Sequence, residues 1–182
     1  MIRLLDFIFA FAGLLLLWPI IIVIAVFGYF DTGAPIFRQT RVGRNQQPFT
    51  LVKFRTMPIH TRSMATHLVS ASDVTRLGRF LRRTKLDELP QLINVLRGEM
   101  SLVGPRPCLF NQTELIEARE QRGIFDVRPG ITGLAQINGI DMSDPTKLAQ
   151  WDHDMLATLS LKQYFLYIIA TVLGKGTGDR TS

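Results

Sequence analysis

Residues 4–30, LLDFIFAFAGLLLLWPIIIVIAVFGYF, contain nearly all of the excess hydrophobicity of the chain, and Asp6 is the only charged side chain among them. An apolar run of more than about 18 residues is typical of a helix that inserts into a membrane. A secretory signal peptide fits less well, because its apolar region has about 7–15 residues and leads to a cleavage site with small side chains. The sequence therefore predicts a membrane segment that the protein retains.

Pro19 interrupts this segment near its middle. A proline inside a helix removes one backbone hydrogen bond and clashes with the preceding turn. The two arms, 4–18 and 19–30, would be about 22 and 18 Å long, so neither alone crosses a hydrocarbon core of about 30 Å, whereas both together could. The residues thus leave two topologies open, a kinked helix that spans the bilayer and a re-entrant hairpin that enters and leaves on one face. Length alone favours the spanning helix.

Positive charge is concentrated directly after the membrane segment. The 182 residues carry a net charge of +6, with thirteen Lys and Arg against five Asp and Glu in residues 31–110 and seven against nine in residues 111–182. The cations closest to the segment are Arg38, Arg41, Arg44, Lys53 and Arg55. The positive-inside rule then predicts that everything after residue 30 lies in the cytoplasm. A basic surface next to a bilayer suits anionic headgroups, anionic substrates or both.

Hydrophobic periodicity predicts a mainly helical α+β fold for this cytoplasmic part. Apolar and polar residues alternate over 36–42 and 49–55 around a turn at 43–48, which predicts a short hairpin. Helical spacing predicts helices over 73–85, from Asp87 to a stop at Gly98, over 111–122 and over 145–173. Glycine and proline mark two loops, 98–110 and 126–139.

The chain has no internal repeat and no long linker, which favours one compact body on a membrane anchor. We therefore expect a membrane helix over 1–30, a catalytic or binding domain over 31–173 and a flexible tail over 174–182.

Asp87 and Glu88 are adjacent carboxylates at the predicted start of the second helix. Pro90 suits a first helical turn, so Asp87 is expected at or near the N-cap. Capping and the helix dipole alone would explain both acidic residues. The functional interpretation is a nucleophile or magnesium ligand together with a general base, because a helix N-terminus also stabilises negative charge on a phosphorylated carboxylate.

The stretch from Arg76 to Lys85 places cations opposite Leu77, Phe80 and Leu81. It suits an interfacial amphipathic helix whose cations meet lipid headgroups. It also suits direct phosphate binding, and the two are compatible if Arg82 or its neighbour faces inward. Nucleic-acid binding is the weakest interpretation, because the aromatic side chains that single strands stack on are few here.

Two loops each fix one arginine beside proline, Arg106 in GPRP (104–107) and Arg128 in RPG (128–130). An arginine with little rotational freedom suits bidentate phosphate recognition. Histidines are scattered and Cys108 is the only cysteine, which excludes an internal disulfide and makes zinc unlikely as a cofactor. A divalent ion would take oxygen ligands, which favours Mg²⁺.

Taken in order, these motifs resemble those of the bacterial sugar transferases, the monotopic phosphoglycosyl transferases, and in particular the small PglC-like branch. The motifs that carry the resemblance are FRQ (37–39), RVG (41–43), KFRTM (53–57), LDELPQL (86–92), GPRP (104–107) and DVRPGITGLAQ (126–136). They cover the chain from the membrane segment to about residue 160.

The resemblance implies a monotopic protein on the cytoplasmic face of the inner membrane, held by a re-entrant helix with its break at Pro19 and by interfacial amphipathic helices. This reverses the preference that length alone gave. It also implies transfer of a sugar-1-phosphate from a UDP-sugar to undecaprenyl phosphate with release of UMP. Membrane lipids are implied partners, nucleic acid is not, and a homo-oligomer is a possible state.

The resemblance also implies roles for individual residues. Asp87 would be the nucleophile that forms a covalent phosphosugar intermediate. Glu88 would bind Mg²⁺ with Asp87, or orient and deprotonate the acceptor. The residues expected to bind substrate phosphates or the nucleotide are Lys53, Arg55, Arg82, Arg106 and Arg128.

One departure and two rival functions remain at this point. Met155 stands three residues after Asp152, where the family pattern usually has a tyrosine, so the donor sugar of a relative cannot be carried over. The rivals are a non-catalytic adaptor that binds anionic lipid through residues 76–85 and a membrane-tethered nucleic-acid binder.

Overall fold

The computed structural model describes residues 1–61 and 73–176, and its first element is a long helix, α1 (Ile2–Thr32). This helix continues through Pro19 and ends at Gly33, whose φ of 75° lets its N–H bond to the Tyr29 carbonyl. The segment is therefore a single helical element, and a re-entrant bend at Pro19 stays a prediction. A proline removes only one backbone hydrogen bond, and the helix continues through the remaining bonds on either side of it. Within the described residues, α1 is the one helix long and apolar enough to cross a membrane.

The predicted hairpin is confirmed. Strands β1 (Ile36–Val42) and β2 (Pro48–Phe54) are antiparallel, with Ile36 opposite Phe54 and Val42 opposite Pro48. A short 3₁₀ turn, Arg44–Gln46, connects them. The alternation seen in the sequence buries Phe49, Leu51 and other inward side chains of β2.

The two helices around the acidic pair are present, but their junction differs from the prediction. Helix α2 (Arg76–Thr84) leads into a 3₁₀ turn, Leu86–Glu88, and α3 (Gln91–Arg97) ends at Gly98. Asp87 is therefore not the N-cap of α3, a position that Pro90 holds. Pro90 has no N–H to bond back to the turn, so the chain makes i→i−3 bonds on both sides of it before the α-helix begins.

A second, two-stranded sheet lies where the sequence predicts only loops. Strands β3 (Ser101–Val103) and β4 (Gly130–Thr132) are parallel. A Cβ on Gly130 would lie 2.0 Å from the backbone nitrogen of Gly104, so glycine is required where the two loops meet. Strands of three residues are too short to show a hydrophobic period.

Four more α-helices and a 3₁₀ turn, Ile124–Asp126, complete the described part of the chain. The helices are α4 (Thr113–Glu120), α5 (Leu134–Ile137), α6 (Pro145–Thr158) and α7 (Leu161–Val172). The predicted helices over 111–122 and 145–173 are thereby confirmed, and so is the mainly helical α+β class. The last part of the predicted tail, 177–182, lies outside the described residues.

The N-terminal end of α1 is built into the rest of the protein. Arg3 donates to the Val95 carbonyl at 2.7 Å. Asp6 is 2% exposed, and its Oδ1 accepts hydrogen bonds from the Ser101 hydroxyl, the Leu102 amide and the Tyr164 hydroxyl at 2.9–3.0 Å. The charge inside the apolar segment is thus satisfied by three donors from the body.

The C-terminal end of α1 contacts the same body. Ile24 packs against Phe54 and Leu81, and the Thr75 hydroxyl donates to Asp31 at 2.6 Å. Much of the remaining surface of α1 is exposed and apolar, with Leu16 at 75% and Phe30 at 81% exposure. The helix therefore contacts the rest of the protein near both of its ends and leaves much of its apolar surface exposed.

Candidate active site

The acidic pair lies in the 3₁₀ turn between α2 and α3. Lys85, with φ of 58°, ends α2 in a left-handed conformation and turns the chain into this 3₁₀ segment. Asp87 is 3% exposed, whereas the Glu88 side chain is 13% exposed and lines a cleft. The turn thus buries one carboxylate and presents the other.

This polar cleft contains three cations. Arg41, Lys53 and Arg106 line it together with Glu88 and Gln91. Arg106 Nη2 lies 3.3 Å from Glu88 Oε1, and Arg41 Nη1 donates to the Pro107 carbonyl at 3.2 Å. Clustered guanidinium and ammonium groups are suited to bind phosphate oxygens. Two of the predicted phosphate ligands, Lys53 and Arg106, thus line the same cleft as Glu88 of the acidic pair.

Arg41 is a site residue that the sequence analysis did not single out. It stands in the RVG motif and in the hairpin alternation, where it counts as one of several basic residues after the membrane segment. The structure buries it to 6% exposure and aims it at the GPRP loop. The place of Arg41 in this cleft follows from contacts with residues far away in the sequence, such as Pro107, and no local sequence pattern shows it.

The other three predicted phosphate ligands hold the scaffold through their Nε atoms. Arg82 donates to the Thr56 hydroxyl at 2.9 Å, Arg55 to the Ala34 carbonyl at 3.0 Å and Arg128 to the Gly98 carbonyl at 2.7 Å. The buried Nη1 of Arg82 has no hydrogen-bond partner among the described residues, so it is suited to donate to a ligand oxygen. As phosphate ligands, all three stay predictions.

A buried ion pair supports the GPRP loop from behind. Arg119 of α4 donates from Nε and Nη2 to Asp152 Oδ2 of α6, at 3.0 and 2.6 Å, and both side chains are at most 2% exposed. Arg119 Nη1 also donates to the Arg106 carbonyl at 2.8 Å. Burial raises the pKa of Asp152, and Arg119 opposes this rise. The Arg119–Asp152 pair therefore holds the backbone of Arg106, whose side chain faces Glu88.

The donor set of the acidic pair is compatible with Mg²⁺. Among the residues that the structure describes, no three His, Cys, Asp or Glu side chains cluster as a metal cage. Mg²⁺ commonly uses only one or two carboxylates and completes its shell with water and substrate phosphates. Asp87 and Glu88 meet that minimum and offer oxygen atoms alone.

Comparison with known proteins adds a family match to this geometry. The family model described as bacterial sugar transferase matches residues 1–175. A UDP-glucose:undecaprenyl-phosphate glucose-1-phosphate transferase of Caulobacter vibrioides is 38% identical over 97% of this chain and 70% of its own. A protein of the same description from Xanthomonas campestris pv. campestris is 40% identical over 94% of this chain, which spans 38% of that relative. An uncharacterized sugar transferase of Bacillus subtilis, EpsL, is 48% identical over 59% of this chain and 53% of its own.

Proposed function

The chain belongs to the bacterial sugar transferase family, and from this premise we propose that it transfers a sugar-1-phosphate from a UDP-sugar to undecaprenyl phosphate. The reaction would be the first membrane step of bacterial glycoconjugate synthesis. The observation that carries the proposal is the Glu88–Arg106 pair in a cationic cleft next to the buried Asp87. Two relatives described as UDP-glucose:undecaprenyl-phosphate glucose-1-phosphate transferases support it.

The proposed chemistry has two displacements at one phosphorus atom. A carboxylate oxygen of Asp87 attacks the β-phosphorus of the donor, and the bond to the bridging oxygen breaks, so that UMP leaves with that oxygen. A phosphate oxygen of the acceptor then attacks the same phosphorus and releases the Asp87 carboxylate. The burial of Asp87 supports this role, because an aspartyl phosphodiester must be shielded from water.

The cations of the cleft serve both steps. Each substrate is anionic, so each approach to the carboxylate pair is repulsive without positive charge. Lys53, Arg41 and Arg106 supply that charge, and Glu88 orients or deprotonates the acceptor phosphate. Mg²⁺, held by Asp87 and Glu88, would supply further charge neutralisation at the phosphate oxygens.

The contacts of α1 support the re-entrant topology. Arg3 and Asp6 near its start bond to the same body that Asp31 contacts near its end. A helix that crossed the bilayer would place its start on the far side, where these partners could not reach it. We therefore place both ends of α1 and the described residues that follow it, 33–61 and 73–176, on the cytoplasmic face of the inner membrane, with α2 and α7 at the interface.

A UMP-release assay tests the proposal. The protein in nanodiscs receives Mg²⁺, undecaprenyl phosphate and one UDP-sugar at a time, so reaction class and donor are determined together. Asp87→Asn should abolish release and keep membrane association, whereas the exposed Asp154→Asn on α6 should leave release unchanged. UMP release at the normal rate from Asp87→Asn would refute the covalent mechanism. No release from any donor would favour the adaptor that binds anionic lipid.

A further inference from the structure

A second cleft, of about 350 Å³, adjoins the acidic pair on its other side. Its volume falls in the range of about 300–1,000 Å³ that small-molecule sites occupy. Leucines of the acidic segment, Leu86, Leu89 and Leu92, form one wall. Leu17 of α1 and Ile168 of α7 contribute from the helices that carry the exposed apolar surface. The cleft is thus an apolar space between the membrane helix and the acidic turn.

Glu88 lines both clefts. On one side it faces Arg106 and the cationic cleft, and on the other it closes the apolar space that extends to Leu17. A ligand in the apolar cleft would therefore end at the same carboxylate that a ligand in the cationic cleft reaches. This arrangement brings two chemically different ligands to one group.

Lys85 adds a cation to the lining of the apolar cleft, in the same chain segment, 84–89, as Glu88. Its ammonium donates to the Lys175 carbonyl at 2.7 Å, which uses one of its three N–H groups. The apolar cleft is therefore lined by one acidic and one basic side chain, Glu88 and Lys85.

We propose that this cleft binds the hydrocarbon chain of the polyprenyl phosphate acceptor next to its phosphate, with Lys85 as the counter-cation of that phosphate. The inference rests on the proposed function. An apolar chain with one anionic end matches a cleft that has mostly apolar lining residues and one lysine among them. Because Leu17 of the long apolar helix α1 also lines the cleft, the rest of the chain would remain beside α1 in the bilayer.

The test compares two adjacent leucines of α1. Leu17→Trp fills the cleft, whereas Leu16→Trp adds the same bulk to a side chain that is 75% exposed. Leu17→Trp should raise the KM for undecaprenyl phosphate by about tenfold or more, because losing the burial of two methylene groups already weakens binding that much. Leu16→Trp should keep the wild-type KM. Equal KM values for the two variants would overturn the proposal.

Two further measurements separate the possible failures. The burst of UMP formed without acceptor reports folding and the first displacement, and it should persist in Leu17→Trp and in Lys85→Gln. Lys85→Gln should raise the KM for the acceptor and leave the KM for the UDP-sugar unchanged. A wild-type protein without UMP release would refute the proposed function, whereas normal turnover with an acceptor KM unchanged by Lys85→Gln would refute the role of Lys85 alone.

The occupant is identified by photo-crosslinking. A polyprenyl phosphate with a diazirine close to its phosphate should label α1 or α7 at the cleft, and Leu17→Trp should reduce this label. If a diazirine phospholipid labels these residues equally and undecaprenyl phosphate does not compete, a bilayer acyl chain occupies the cleft and the proposal is wrong.

Discussion

Arg119→Met removes one member of a buried ion pair and leaves the other, Asp152, at 1% exposure without its cation. Breaking such a pair by removing one partner typically lowers the free energy of unfolding by about 3–5 kcal/mol. In a chain of this size each kcal/mol corresponds to about 2–4 °C, so the melting temperature should fall by about 10 °C. Thermal unfolding in detergent, followed by circular dichroism, measures the change.

The pH dependence of this loss identifies its cause. Burial raises the pKa of Asp152 and Arg119 opposes the rise, so its removal raises that pKa further. A carboxyl whose pKa is higher when folded than its unfolded value of about 3.9 loses stability as the pH rises through the folded pKa. The difference between wild type and Arg119→Met should therefore be smaller at pH 5 than at pH 8.

Two further variants decide between an ionic and a merely steric effect. The double variant Arg119→Met with Asp152→Asn has no buried charge and should recover part of the lost stability at pH 8. Arg122→Met, three residues along the chain, should change the melting temperature little, because its guanidinium bonds to the Ala118 carbonyl of the helix that precedes it. The same loss at both pH values, with no recovery in the double variant, would refute the electrostatic account.

Three other substitutions or reactions test the architecture. Asp6→Ala leaves three donors of the body without their acceptor and should lower the free energy of unfolding by at least about 2 kcal/mol, read from the melting temperature, with the more exposed Asp31→Ala as the milder control. Gly78→Ala would place a Cβ 2.2 Å from the Thr56 carbonyl oxygen, so α2 must shift, and both stability and UMP release should fall. Cys108 is fully buried and burial raises its thiol pKa, so Ellman's reagent should react with it only after denaturant is added.

The local part of the fold could be predicted from the sequence. Alternation located β1 and β2 within one residue, and helical spacing together with Gly98 located the end of α3. These elements depend on neighbours a few residues away. Asp87 is expected at or near the N-cap with Pro90 in the first helical turn, whereas the α-helix begins only after Pro90 and Asp87 lies in the 3₁₀ turn before it.

The parts that sequence reasoning missed depend on distant contacts. The β3–β4 pair joins Ser101 to Gly130, and the ion pair joins residues 33 positions apart. The apolar cleft needs Leu17 beside Ile168, which no local pattern indicates. The acidic pair and Arg106 are candidates because of the adjacent carboxylates and the flanking prolines, and the resemblance to a family adds their roles. The distance of 3.3 Å between Glu88 and Arg106 needed the fold.

The two-ended attachment of α1 has a consequence for how lipid reaches the site. A membrane anchor on a flexible linker would let a catalytic body approach the bilayer at any height and angle. Here Asp6 fixes one end to β3, and at the other end Gly28 lies against Pro35 at the start of the hairpin. These contacts tie the helix to the body, so under the proposed topology the depth of α1 in the bilayer would set the height of Glu88 above it. Exchanging α1 for an equally apolar helix without Arg3 and Asp6 would keep the protein at the membrane and lose that fixed height.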